Sequence, residues 1–265
     1  MTGRVDLHTH STTSDGELGP SEVVYLAKRV GLTCIALADH DTTDGVEEAQ
    51  AAGRAAGIQV IPAVEINSEG EHGDAHILGY FLDVGHAPLQ EQLLAIRDAR
   101  VGRARAILKK LAELGMPLDW EAVMAVAGDA ASVARPHIAR AMVQAGYVSS
   151  FQEAFDKYID VGGPAYVNRL RVEMSQAIDL IHAAGGVAVM AHPAESKLVH
   201  LIPPLAQLGL DGIEVYYPDH TPQEQDELLA LAHRYDLAVT GGSDFHSLND
   251  AAHMLGIVEI YYDAV

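Results

Sequence analysis

Arg4-Val5-Asp6-Leu7-His8-Thr9-His10 opens the chain with a short alternating run that ends in two histidines. Val5, Leu7 and Thr9 recur at every second position, as on a strand, and the polar groups gather at its carboxyl end. The arrangement then repeats. Cys34–Asp39 is a second strand candidate running into His40-Asp41, and Gln59–Ile66 is a third that ends around Ala63-Val64-Glu65. His76–Leu82, opened by His76, follows, and then Val187–Ala191, Gly212–Tyr216, Ala238–Gly241 and Gly256–Tyr261. His192-Pro193 succeeds one of these and Gly242-Ser243-Asp244-Phe245-His246 another. Amphipathic helices over Pro20–Val30 and Thr43–Ala56, the latter opened by Thr42 or Thr43, separate the first three strands. Strand and helix in alternation predict an α/β fold built from parallel βαβ units.

The alternation lapses from about Leu89 to Ala184. That block reads as successive helices, with turn signals at Gly115-Met116-Pro117, Gly128-Asp129 and Gly162-Gly163-Pro164. Asp119 is placed to cap a helix containing Trp120, and Pro136 to start one that ends at Gly146. Because strand and helix alternate again from Val187, residues 1–88 and 185–265 are expected to form one domain, with 89–184 as a helical insertion.

The 265 residues suffice for one sizeable core. No apolar run approaches the roughly 18 residues of a membrane helix, and no signal-peptide pattern opens the chain, so a cytoplasmic protein without membrane contact is expected. The lone cysteine, Cys34, lies in an apolar run and reads as core packing. Seventeen basic residues against 37 acidic ones give a net charge of −20, which argues against long nucleic acids as partners. An anionic substrate would need a local reversal of that field, and divalent ions supply one.

Candidate ligands stand at strand end after strand end: His8, His10, Asp15, His40, Glu65, His76, His192, Asp244 and His246. His8 and His10 are two apart and point the same way on a strand; Asp244 and His246 repeat that spacing. In a barrel of parallel strands, such ends converge on one face. Six imidazoles and three carboxylates exceed one tetrahedral site and suit two or three divalent ions sharing a carboxylate. Asp6, Asp39 and Asp41 adjoin ligands and are placed to orient imidazoles; His220 is placed to border the pocket. His72, His86, His182, His200, His233 and His253 read as solvated or local structural residues.

Asp6-Leu7-His8-Thr9-His10-Ser11, Asp39-His40-Asp41, Ala191-His192-Pro193 and Ser243-Asp244-Phe245-His246 together resemble the four motifs of the PHP (polymerase and histidinol phosphatase) superfamily. The resemblance spans essentially the whole chain and implies a distorted (β/α)7 TIM-like barrel with a trinuclear centre of manganese, iron or zinc. It implies one ion on His8, His10, Glu65 and Asp244, a second on Glu65, His76 and His192, and a third on Asp15, His40 and His246. Ala134-Arg135-Pro136-His137-Ile138-Ala139-Arg140 is similar to the branch holding nucleoside 3′,5′-bisphosphate phosphatases and 5′–3′ exonucleases of short oligonucleotides. In that branch the insertion covers the metal site, and the residues matching Arg135 and His137 face the substrate. Ala194-Glu195-Ser196-Lys197 stands where some members carry Gly-Arg-Tyr.

The resemblance thus implies a phosphomonoesterase that attacks with a metal-bridging hydroxide, whose formation at neutral pH follows from a water pKa lowered to about 7. Arg135 would grip phosphate oxygens and His137 would protonate the leaving oxygen. Three ions set against Asp15, Glu65, Asp244 and that hydroxide leave a pocket of about +2. The expected substrate is a phosphorylated small molecule, foremost a nucleoside 3′,5′-bisphosphate. The alternatives are short RNA or DNA oligonucleotides and a histidinol-phosphate-type metabolite. Amide hydrolysis by the same hydroxide fits less well with Arg135, and a non-catalytic assembly module fits less well with a full ligand set.

Overall fold

The computed structural model describes residues 3–70, 73–127, 135–167 and 172–261. It divides into two compact units, Met1–Leu93 with Arg171–Val265, and Leu94–Leu170. Among the described residues no helix is long and apolar enough to cross a membrane.

The first unit is an eight-stranded sheet that wraps into a nearly closed barrel. Its strands are β1 (Arg4–Thr9), β2 (Leu32–Leu37), β3 (Gln59–Gly70), β4 (Gly73–Tyr80), β5 (Val187–Met190), β6 (Gly212–Tyr216), β7 (Ala238–Gly241) and β8 (Ile260–Tyr261). The spatial order is β7-β6-β5-β4-β3-β2-β1-β8. A parallel bridge between Thr9 and Phe245, with the His10 N–H donating to the Phe245 carbonyl at 3.0 Å, ties the segment after β7 to the end of β1. Helices α1 (Pro20–Arg29), α2 (Val46–Ala56), α7 (Met174–Ala183), α8 (Ile202–Gln207) and α9 (Pro222–Tyr235) complete this unit. The long α3 (Ala87–Glu113) starts in it.

Local sequence explains these elements. In α2, Val46, Ala49, Ala52, Gly53 and Ala56 are buried at helical spacing, and Gly57 ends the helix in the left-handed conformation at φ 72°. The helix starts at Val46 after Gly45, not at Thr43 as the capping pattern predicts. Along β2, Cys34 and Ala36, with Ala38 just beyond it, join one core cluster with Val5, Leu7 and Leu78, whereas Ile35 and Leu37 join another with Val23, Val24 and Ala49. The strand is therefore covered on both faces, which is why it reads as an unbroken apolar run. Burial pushes the Cys34 thiol up to about 12, so it is inert packing.

Three strands depart from the sequence reading; β8 covers only Ile260–Tyr261 of the expected Gly256–Tyr261 and is antiparallel to β1. β3 continues past Glu65 to Gly70 and pairs antiparallel with β4, with Glu65 opposite Leu78 and Asn67 opposite His76. Its parallel pairing with β2 ends at Leu37–Pro62, so Glu65 stands at the barrel mouth although mid-strand. β4 is antiparallel to both β3 and β5, and His76 lies within it rather than opening it. The reversal brings the first half of β4, with His76, to the rim where the parallel strands end.

The second unit is helical, comprising the rest of α3, α4 (Trp120–Ala127), α5 (Arg135–Gln144), α6 (Phe151–Ala154) and a π-helical turn at Phe155–Ile159. Its core contains Ile107, Leu111, Val123, Ile138, Met142 and Ile159. The expected turn at Gly128-Asp129 lies outside the described residues.

Gly242 marks the tightest approach at the barrel mouth: a Cβ there would sit 2.4 Å from the His8 backbone nitrogen. Backbone cannot swing away as a flexible side chain can. Gly242→Ala should therefore destabilise the metal-free protein by about 1–3 kcal/mol, a loss readable in urea unfolding.

Candidate metal centre

Glu65 is 1 % exposed, and its carboxylate lies among five imidazoles. Oε2 is 3.3 Å from His8 Nε2, 3.3 Å from His10 Nε2 and 3.0 Å from His40 Nδ1. Oε1 is 2.8 Å from His76 Nδ1 and 3.3 Å from His192 Nε2. Asp244 Oδ1 approaches the first pair from the other side, 3.4 Å from His8 Nε2 and 3.0 Å from His10 Nε2. Asp15 meets His246 Nε2 at 3.2 Å and His40 Nε2 at 3.7 Å. Thus β1, β3, β4 and the segments after β2, β5 and β7 each deliver a donor to one rim.

Asp244 and His246 converge by a different route from the strand spacing that predicts it. They follow the end of β7, and Asp244 has φ 53°. The His246 Nδ1–H donates to the Asp244 carbonyl at 2.8 Å, leaving Nε2 for Asp15. His192 and Asp41 also have positive φ, in the left-handed region that side chains enter at a cost.

 The φ angles are 28° at His192 and 52° at Asp41. Three turns at the rim are therefore held in backbone conformations that only their surroundings sustain.

Six buried atoms of this cluster lack a hydrogen bond of sound geometry: His8 Nε2, His10 Nδ1 and Nε2, Glu65 Oε2, His76 Nδ1 and Asp244 Oδ1. Buried polar atoms left in this state are costly, and here they face one another. Divalent cations between them would satisfy both the imidazole lone pairs and the carboxylates, so the donor set fits metal. Among the described residues, donor atoms within 4.8 Å of one another form three groups, His8-His10-Glu65-Asp244, His10-Asp15-His40-His246 and His40-Glu65-His76. The first is the set that the family resemblance implies. The other two bring in His10 and His40, while His192 touches the same Glu65 oxygen from outside the third group.

The charges are interlocked. Burial works against ionisation of Glu65, yet His40, His76 and His8 hold its pKa well below the usual carboxylate range. Burial likewise opposes charge on Asp244, and His8 and His10 outweigh it. Burial lowers the His10 pKa, but Asp244 and Glu65 raise it to about 10 overall. His8 is also raised, by Glu214, Asp244 and Glu65 against its burial. For His76 the burial effect wins and the pKa falls.

The neighbouring acids accept hydrogen bonds from backbone, hydroxyl and amide groups. Asp6 accepts from the backbone N–H groups of Ser243 at 2.9 Å, Gly256 at 2.8 Å and His8 at 3.3 Å, pinning the ends of the barrel segments together. Asp39 accepts from the Ser11 and Ser14 hydroxyls and the Ser11 N–H. Asp41 accepts from the Asn67 backbone and side-chain amides. His220 is buried, donates from Nδ1 to the Val215 carbonyl at 2.9 Å, and packs against Tyr217. Of the remaining histidines, His182 pairs with Asp211 and His253 with Asp219; His72 lies outside the described residues.

Three residues absent from the sequence reading support the cluster. Asn67 reaches His40 Nδ1 at 3.2 Å, and the Tyr217 hydroxyl donates to Asp244 Oδ2 at 3.1 Å. Glu214 is fully buried beside His8 Nδ1 at 3.1 Å. Its signal was a lone carboxylate inside the apolar strand Gly212-Ile213-Glu214-Val215-Tyr216.

In the second unit, Arg135 pairs with Asp160 at 3.1 Å and lies 5.6 Å over the Phe155 ring. His137 stands two residues further along α5.

Residues 6–166 match the PHP domain model. The chain belongs to the PHP domain family. It is similar to a 5′-3′ exoribonuclease of Haemophilus influenzae, 38% identical over 93% of this chain and 91% of that protein. It is similar also to a 3′,5′-nucleoside bisphosphate phosphatase of Chromobacterium violaceum, 33% identical over 96% of this chain and 91% of the relative. A solved structure assigned as a metal-dependent phosphoesterase, from Bifidobacterium adolescentis, superposes with a TM-score of 0.84 at 30% identity, covering 98% of this chain and 93% of that one. This PHP protein is a metal-dependent phosphoester hydrolase.

Raised imidazole pKa values give the metal-free protein a stability contribution that is complete below about 6.5 and is lost as pH rises through about 10, the value for His10. Metal binding demands deprotonated rings and reverses the trend. Melting temperature in chelator should therefore fall between pH 7 and 10, whereas the stabilisation by added manganese should grow over the same range. A manganese effect independent of pH would show that these rings do not exchange protons for metal.

Proposed function

We propose that this PHP protein removes the 3′-phosphate from a nucleoside 3′,5′-bisphosphate, using ions held by His8, His10, Asp15, His40, Glu65, His76, His192, Asp244 and His246. The observation that carries the reading is the set of orphaned donors facing one another around Glu65 and Asp244. Manganese, iron and zinc all suit this mixture of nitrogen and oxygen ligands. Bound ions supply Lewis acidity and a nucleophile at neutral pH. The chain contributes the geometry: Glu65 is placed to be shared between ions, and Tyr217 and the Asp244 backbone hold Asp244 and His246 in their orientations. Arg135 is assigned to the phosphate oxygens, as a guanidinium binds them with two parallel hydrogen bonds. His137 is assigned to protonate the departing 3′ oxygen.

The second reading is 5′–3′ exonucleolysis of short oligonucleotides, and the relative that is 38% identical is named a 5′-3′ exoribonuclease. Release of 5′-mononucleotides breaks the same bond, between phosphorus and the 3′ oxygen of a 5′-phosphorylated nucleotide. The two substrates differ in what else the phosphate carries. A net charge of −20 favours the shorter one.

A manganese-supplemented assay should rank nucleoside 3′,5′-bisphosphates above 5′-phosphorylated di- to pentanucleotides, 5′-monophosphates, sugar phosphates and histidinol phosphate. Faster turnover of the oligonucleotides would install the second reading, and turnover of amides alone would remove both. His8→Ala and Asp244→Ala should lose metal and activity together. Arg135→Ala should lower kcat/KM by about 10²-fold, the loss of one charge-assisted contact of roughly 2–3 kcal/mol, with metal content unchanged.

A further inference from the structure

Glu214 lies on β6, at a position from which the family motifs are absent, and is 0 % exposed. Its two oxygens are 3.1 and 3.3 Å from His8 Nδ1, and Oε2 also accepts the His192 backbone N–H at 2.9 Å. Among the described residues its one ion pair is with His8. A carboxylate accepts only, so His8 Nδ1 must carry the hydrogen. That leaves Nε2 as the ring's free atom, directed at Glu65 Oε2 and Asp244 Oδ1, 3.3 and 3.4 Å away. The second bond acts on a different ligand. It restrains the backbone at His192, whose φ of 28° is costly, where the ring reaches Glu65 Oε1 and lies parallel to that of His8.

We propose that Glu214 is a positioning residue for two ligands at once, fixing the Nδ1–H tautomer of His8 and the backbone of His192. The inference rests on the ligand assignment above. A carboxylate behind a ligating imidazole fixes ring orientation and raises its basicity, and loss of such a partner typically weakens metal affinity 10–100-fold. Glu214→Gln keeps the size and one acceptor but loses the charge, and it sets an amide NH2 or a single oxygen against two donors.

Manganese affinity is measured by chelator competition for the wild type, Glu214→Gln and His8→Ala, with folding of each checked by circular dichroism in chelator. The expected result is a manganese Kd raised 10–100-fold in Glu214→Gln, with activity recovering as manganese is raised. Wild-type affinity and kcat in Glu214→Gln would overturn the proposal while leaving the ligands intact, provided His8→Ala loses metal. Undiminished affinity in His8→Ala would instead overturn the ligand assignment itself. Long-range proton–nitrogen correlation on the zinc-loaded wild type gives a reading that no variant can spoil. His8 should carry its proton on Nδ1 and present Nε2 to zinc; the opposite tautomer would overturn the role of Glu214 even if Glu214→Gln did not fold.

Discussion

Everything at the barrel mouth answers to one constraint: a buried carboxylate, Glu65, must be neutralised where water does not reach it. An isolated ionised carboxylate in such a place would be untenable. Five imidazoles surround it, and a second carboxylate, Asp244, stands behind two of them. Protons on His8 and His10 offset part of this charge, and cations between the rings and the carboxylates would satisfy the atoms left without hydrogen bonds. The same groups that give the protein a proton-dependent stability are therefore the ones proposed to bind ions.

The barrel is the means of convergence. Parallel strands bring their carboxyl ends to one rim, and the reversed β4 adds His76 to it from the opposite chain direction. Small residues inside the barrel, among them Ala36, Ala38, Ala63 and Ala191, let the strands approach around a narrow core. Gly242 allows the segment after β7 to press against the His8 backbone. Asp6 then fastens Ser243 and Gly256 to β1. The left-handed turns at Asp41, His192 and Asp244 are the local cost of aiming side chains inward, offset by the hydrogen bonds around them.

For function, the acidity of the chain and the composition of the site complement each other. A surface with a net charge of −20 repels polyanions, while a cluster loaded with divalent ions attracts a phosphate. Nucleoside bisphosphate and oligonucleotide substrates place the same 3′ ester before such a cluster. What separates them is the room beyond the scissile phosphate, not the chemistry of bond cleavage.

The candidate ligands and their order were legible in the chain because each sits in or beside an apolar run that forms a barrel strand. His8, His10, Glu65, His192, Asp244 and His246 could all be named from that pattern, and β1, β6 and β7 fall at Arg4–Thr9, Gly212–Tyr216 and Ala238–Gly241 as the alternation predicts. The reversal of β4 was not legible, since strand direction depends on pairing with β3 and β5 and leaves the residue pattern unchanged. Nor was the task of Asp6, which adjoins His8 in sequence but spends its oxygens on backbone 237 and 250 residues away. Glu214 needed the fold most of all, because a single carboxylate in an apolar strand acquires meaning only from the imidazole across the barrel. Sequence by itself determined which chemical groups the rim would hold, for side-chain identity and strand periodicity are local properties. Tertiary structure decided which atoms face one another, for distances between strands far apart in the chain are set by how the sheet closes.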